Sequence, residues 1–154
     1  MIESTSHAYS LMVMPDDDLK GKRIVAGKNV QAGEVIAPII GYEEVDAPSK
    51  YTVQISAHRH IDGLGLLTYL NHSCDPNVIV DTTSFAVVAI RDIPKGEELG
   101  FFYPSTEWRM ATPFTCLCGT ASCVGVIDGA EALSDETLSH YFLNEHIQEL
   151  RRDR

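Results

Sequence analysis

The chain has 154 residues, 44% of them hydrophobic and 22% charged, a balance that suits one globular domain with its own core and excludes an extended disordered segment. Its formal net charge of -10 argues against direct nucleic-acid binding, since neutralising phosphates takes a surplus of Lys and Arg. A basic partner, or plain surface solubility, is the reading left for the acidic balance.

The opening MIESTSHAYS lacks the charged and apolar regions of a signal peptide, and no apolar run approaches the roughly 18 residues of a membrane span. A soluble protein is therefore expected, unsecreted and cytoplasmic or nuclear, with no membrane partner and with reduced thiols. From Tyr9 onward the apolar runs are short, β-branched and separated by turn residues: YSLMVM, RIVA, EVIAPIIGY, YTVQIS, NVIV, FAVVAI and ELGFFY, the last ending at Tyr103. That texture predicts strands. Met12 and Met14 are expected to fill core gaps, and Asp16, Asp17 and Asp18 to form a solvated loop. His58, Arg59 and His60 read as a polar strand edge or exposed turn.

After Ser105 the texture changes. Ser134 is a good helix cap with acids following it, and Leu138, Tyr141, Phe142 and Leu150 recur at helical spacing, so residues 135–150 are expected to form one helix. The terminal RRDR is expected to fray.

Only four cysteines occur: Cys74 in NHSCDPN, and Cys116, Cys118 and Cys123 in CLCGTASCVG. Three thiols within one short turn supply three soft ligands, and Cys74 is the remaining candidate for a fourth, which closes a tetrahedral zinc set. The alternatives are reduced structural thiols or disulfides, the latter disfavoured in a reducing compartment. A four-thiolate site is closed, so its single ion is expected to be architectural.

These motifs, NHSCDPN at 71–77, GEELGFFY at 96–103 and PFTCLCGTASCVG at 113–125, with GKRIVAGKNVQAGEVI at 21–36, resemble those of SET-domain proteins carrying a post-SET zinc segment. The resemblance covers roughly residues 10–128. It implies a mostly β (β-rich α+β) fold of small curved sheets with a C-terminal pseudoknot, then a zinc-bound segment and a C-terminal helix. In domain terms these are a SET domain over 1–110 (core about 10–104), the post-SET segment over 111–128 and a helical extension over 129–154.

The resemblance further implies binding of S-adenosylmethionine and transfer of its methyl group to a lysine amine of a basic protein, histone-like or ribosomal. Carried over residue by residue, Tyr103 is the active-site tyrosine. Gly21, Lys22, Arg23, Asn71, His72, Tyr103, Phe114 and Leu117 face the cofactor, and Cys74, Cys116, Cys118 and Cys123 hold zinc. On residues alone, NHS reads equally as an Asx turn, and Phe114 and Tyr103 as core aromatics. Tyr69, Phe101, Phe102, Tyr103 and Trp108 are candidate walls of a lysine channel. Three departures stand out: Arg23 where the family has the second glycine of G-x-G, Phe102 where it has an acid, and Thr68–Tyr69 before the NHSC bend. A small-molecule methyltransferase of the same fold and an inactive SET interaction module that retains cofactor are the other readings.

Overall fold

A computed structural model describes residues 4–6, 11–16 and 21–154. Within the strand Leu11–Asp16, Leu11 and Val13 are buried while Met12 and Met14 are only half-buried, the two-residue alternation of a one-sided sheet. The methionines therefore do not fill the core as expected. This strand pairs antiparallel with Gly21–Ala26 on one side and Ser4–Ser6 on the other. Asp16 is its last strand residue and not part of a loop, while Tyr9, Asp17 and Asp18 lie outside the described residues.

NVIV and FAVVAI form the neighbouring strands Val78–Asp81 and Ala86–Ala89, with Val35–Pro38 completing that sheet. A third sheet orders Glu43–Val45, His60–Asp62 and Val53–Gln54. Val53–Gln54 falls in the predicted run YTVQIS, whereas Glu43–Val45 and His60–Asp62 were not legible as strands because each holds a single apolar residue, Val45 and Ile61; Ile61 is fully buried and anchors the sheet. His60 departs from expectation: it sits in the central strand of this sheet, buried, where an exposed edge had been predicted. Arg59 beside it is exposed and donates to Glu44 at 2.6 Å. Ile24, Val13, Ile61, Val78 and Val87 from these three sheets, with Ile93 and Leu99 between strands, meet in one core.

The crossing that shapes the site is a short parallel pair, Asn71–His72 beside Gly100–Phe101. Around it the bend at 71–77 wraps the later strand: Ser73 N–H donates to Phe101 O, Asn77 N–H to Gly100 O, and Gly100 N–H to Asn77 Oδ1. Buried Asn77 also donates to Glu97 and Glu98 O, so its amide ties the loop to the strand beside it. Gly100 is required by this approach, because a Cβ there would lie 2.9 Å from Ser73 Cβ. The GEELGFFY strand is shorter than predicted and ends at Phe101; Tyr103 opens a single 3-10 turn to Ser105, for which Pro104 presets the backbone.

Beyond Gly129 the chain builds a second core from Phe102, Ala130, Leu138, Leu143 and Ile147. The single helix expected over 135–150 is two: α1 (Asp135–Leu138), capped by Ser134 Oγ accepting from Thr137 N–H, and α2 (Glu145–Asp153). The break has a cause in Asn144. Its side chain donates to Val80 O (2.8 Å) and Ser105 O (2.9 Å) and accepts from Thr82 N–H (2.9 Å), bonds that fix it as the residue preceding α2. The RRDR tail does not fray: α2 runs to Asp153, and Arg151 and Arg154 both reach Asp135, at 2.9 and 2.8 Å.

Candidate functional site

Four sulfurs converge where the two ends of the resemblance meet. The Sγ atoms of Cys74, Cys116, Cys118 and Cys123 lie within 4.8 Å of one another, and the four thiols are free. Cys74 and Cys116 stand 3.8 Å apart. A tetrahedral ion bonded at about 2.3 Å to sulfur demands edges of about 3.8 Å, so the donor set fits zinc in kind and in spacing. Burial pushes the Cys74 thiol up, with its proximity to Cys116 and Cys118 adding to the rise, whereas the Thr120 hydroxyl pulls exposed Cys118 down to about 6. Four thiolates so close repel one another, and a divalent cation is the natural way to hold all of them ionised.

The corner around Cys74 is braced from behind. Its carbonyl accepts from Tyr141 Oη–H at 2.7 Å and Ser122 Oγ–H at 3.2 Å, and Val124 N–H points at its sulfur at 3.5 Å. Tyr141 in turn stacks on Phe102, centroids 3.6 Å apart and 2° from parallel. That stack settles Phe102: together with Trp108 it belongs to the second core, away from the first-core aromatics Tyr69, Phe101 and Tyr103. Of the five channel candidates the fold thus groups three. An acid at position 102, as the family pattern has, would lose this apolar seat.

Tyr103 sits at the meeting point of the two halves. Its Oη–H donates to Leu70 O at 2.9 Å, and its ring touches those of Phe101 (4.9 Å), His72 (5.3 Å) and Phe114 (6.0 Å). Burial, with Glu107 and Glu98 nearby, drives its phenol above the ordinary range, so it stays protonated. Its own N–H donates to His72 Nδ1 at 3.1 Å, and His72 Nε2 lies 3.2 Å from Cys74 Sγ. Burial lowers His72 to about 4, which keeps the ring neutral.

Asn71, next to His72, donates to Glu98 Oε2 at 3.1 Å and to Lys22 O at 3.3 Å, bringing the strand Gly21–Ala26 to the bend. Arg23 lies 3.8 Å from Glu98, and Lys22 Nζ stands 5.0 Å over the Tyr69 ring. Lys22, Arg23 and Asn71 therefore border one polar patch, with Gly21 the residue before Lys22 on the strand. Phe114 is 38% exposed and meets His72 edge-on at 5.9 Å, an aromatic face open to a flat partner; Leu117 is 85% exposed on the cysteine turn.

Two acids were missed by sequence reading. Glu98 lay inside the quoted GEEL motif, and only the fold shows it between Asn71 and Arg23. Glu107 is buried, accepts from Gln54 N–H at 3.0 Å and is pushed up to about 7 by that burial; an acid next to Trp108 gave no sign of being interior.

A SET-domain family model matches residues 21–104, the stretch that contains the Gly21 strand, the NHSC bend and Tyr103. The chain belongs to the SET-domain family. Among relatives of this SET protein, methyltransferase flvH of Aspergillus flavus is 44% identical over 110 residues, 69% of this chain and 62% of that protein. The H3 lysine-4 specific histone-lysine N-methyltransferase of Emericella nidulans is 30% identical over 129 residues, 68% of this chain. The H3 lysine-36 specific enzyme of Aspergillus oryzae is 31% identical over 112 residues, 67% of this chain. The SET chain spans only 11% and 12% of those two proteins. Among solved structures it is similar to KRYPTONITE in complex with mCHH DNA, an H3(1–15) peptide and SAH (TM-score 0.56, 22% identity, 75% of this chain and 29% of that one). At that identity the likeness establishes the fold. Among the described residues, no helix is long and apolar enough to cross a membrane.

Proposed function

We propose that this SET protein transfers a methyl group from S-adenosylmethionine to a lysine side-chain amine of a basic protein, histone-like or ribosomal. The observation that carries the reading is the convergence of Tyr103, Asn71 and His72 with Phe114 from the cysteine segment at one place, since a SET module kept only for its shape has no need of that grouping. When bound, S-adenosylmethionine supplies an electrophilic methyl on a sulfonium. Gly21, Lys22, Arg23 and Asn71 would hold its amino-acid end, His72 and Leu117 would border it, and the open face of Phe114 would cover the adenine. The mixed donors and acceptors around Asn71 and Glu98 fit a group carrying both an ammonium and a carboxylate.

For the chain's own residues the task is orientation. Deprotonating a lysine of pKa about 10.4 near pH 7 costs about 4 to 5 kcal/mol, and burial among Tyr69, Phe101 and Tyr103 lowers that cost by disfavouring the ammonium. Tyr103 is no base, because its phenol is held protonated and its proton is already given to Leu70 O. Its oxygen lone pairs remain available to orient an incoming amine. Alignment of nucleophile and methyl is worth up to about 7 to 11 kcal/mol. One zinc ion on the four thiolates would hold the cysteine segment against the bend in an architectural role.

The relatives named as histone-lysine N-methyltransferases support a protein substrate. A small amine is the second reading, favoured by the few residues, Gly63 to Leu70, that separate the strand His60–Asp62 from the bend and leave little room for a recognition insert. The test is transfer of labelled methyl to a panel of basic proteins and to a metabolite extract. Transfer to protein that falls at least about 100-fold in Tyr103→Phe supports the proposal. Label found only in small molecules supports the second reading, and tight cofactor binding without any transfer refutes both.

A further inference from the structure

His72 joins the thiol cluster to Tyr103 through its two ring nitrogens. A backbone N–H can only donate, so the 3.1 Å contact from Tyr103 makes His72 Nδ1 the acceptor and leaves the ring's single proton on Nε2. Nε2 is 3.2 Å from the sulfur of Cys74, so its proton is within reach of a thiolate. The ring is wedged between Phe102, Tyr103 and Phe114, at 5.7, 5.3 and 5.9 Å, which blocks the flip that would exchange the nitrogens.

We propose that the His72 imidazole is a positioning residue that couples the metal-ligand state of Cys74 to the backbone of Tyr103. A thiolate holding an ion accepts the Nε2 proton, and the ring thus fixed presents Nδ1 to Tyr103; hydrogen-bonded partners of this kind orient metal ligands and tune them. Loss of the ion unfastens Cys74, and with it the contact that fixes the ring against the Tyr103 N–H. Cys74 and Tyr103 are 29 residues apart in sequence, and the parallel pairing of Asn71–His72 with Gly100–Phe101 is what sets this bridge. The consequence for catalysis rests on the role given to Tyr103 above, whereas the coupling itself does not.

The experiment uses the full zinc-loaded chain. Imidazole nitrogen shifts of wild-type protein, read by NMR, report the tautomer directly: the Nε2–H form is expected, and the Nδ1–H form overturns the proposal. Two variants then separate the arms, since an Asn amide oxygen can stand in for Nδ1 and a Gln amide nitrogen for Nε2. His72→Asn is expected to keep slow exchange of the Tyr103 amide and lose about 10- to 100-fold in zinc affinity, read by competition with a chromophoric chelator. His72→Gln is expected to hold zinc within a few-fold and speed Tyr103 amide exchange at least about ten-fold. Removing zinc from wild type is expected to speed Tyr103 amide exchange at least about ten-fold and to leave it unchanged in His72→Asn; no response in wild type, the same response in His72→Asn, or wild-type values for both variants in both readouts overturn the coupling. The expected pattern in a protein that transfers no methyl group would refute the proposed function and leave the coupling standing.

Discussion

Glu107 offers the most direct test of the physical reasoning. Its carboxyl is buried under the strand Val53–Gln54, accepts from Gln54 N–H at 3.0 Å and is raised by burial from its ordinary 4.5 to about 7. In the unfolded chain the same group ionises near 4.5, so between pH 4.5 and 7 the folded state holds more protons and stability falls as pH rises. Below that window Glu107 is protonated in both states and adds nothing. Above it the penalty is constant, and the interval at about 1.36 kcal/mol per pH unit corresponds to about 3 kcal/mol. Glu107→Gln keeps an acceptor for Gln54 N–H and removes the charge. Urea unfolding of zinc-loaded wild type and variant is expected to diverge from pH 4.5 upward, the variant gaining up to about 3 kcal/mol and then running parallel above pH 7. Protonation linked to the thiol cluster is common to both chains and cancels in the difference. Parallel curves from pH 4 to 8 would refute the burial argument.

If Phe114 covers the adenine as proposed, Phe114→Ala should weaken S-adenosylhomocysteine binding about ten-fold in calorimetry and lower stability by less than about 1 kcal/mol, since its half-exposed ring fills little of the core. Asn144→Ala removes the side-chain donor to Val80 O and leaves Thr82 N–H without its acceptor, while Ser105 O keeps the N–H of residue 144, and a loss of about 1 to 3 kcal/mol is expected in urea denaturation. Gly129→Ala puts a Cβ 2.4 Å from Trp108 O at a φ of 97°, so thermal unfolding should register a loss of at least about 2 kcal/mol. Stripping the metal with a strong chelator should abolish hydrogen-exchange protection in the pair Phe114–Thr115 and Val126–Ile127 while the core strand Ala86–Ala89 keeps its own.

Parts of the site were readable from residue type and order. Cysteine count and spacing named all four thiols of the cluster, because a C-x-C pair with a third cysteine five positions on crowds sulfur into one small volume. Short β-branched runs located NVIV and FAVVAI, which pair as neighbours in one sheet. The misses share one cause, that a local signal carries no information about what lies across the fold. Helical spacing over 135–150 could not announce that Asn144 is bonded to three distant backbone groups, and HID carried no strand signal because its burial comes from neighbours far along the chain. Phe102 looked like a channel wall until Tyr141 lay flat upon it.

Sequence by itself therefore determined the family, the strand-rich class and which four cysteines could cluster, since these follow from composition, spacing and motif order. Only the tertiary structure decided which aromatics surround Tyr103, that Glu98 meets Asn71, that Glu107 is interior, and which nitrogen of His72 faces sulfur. Those contacts depend on long-range pairings, of the later strand with the NHSC bend and of Glu107 with Gln54, whose partners are chosen by packing and hydrogen-bond geometry and leave no periodic trace in the chain.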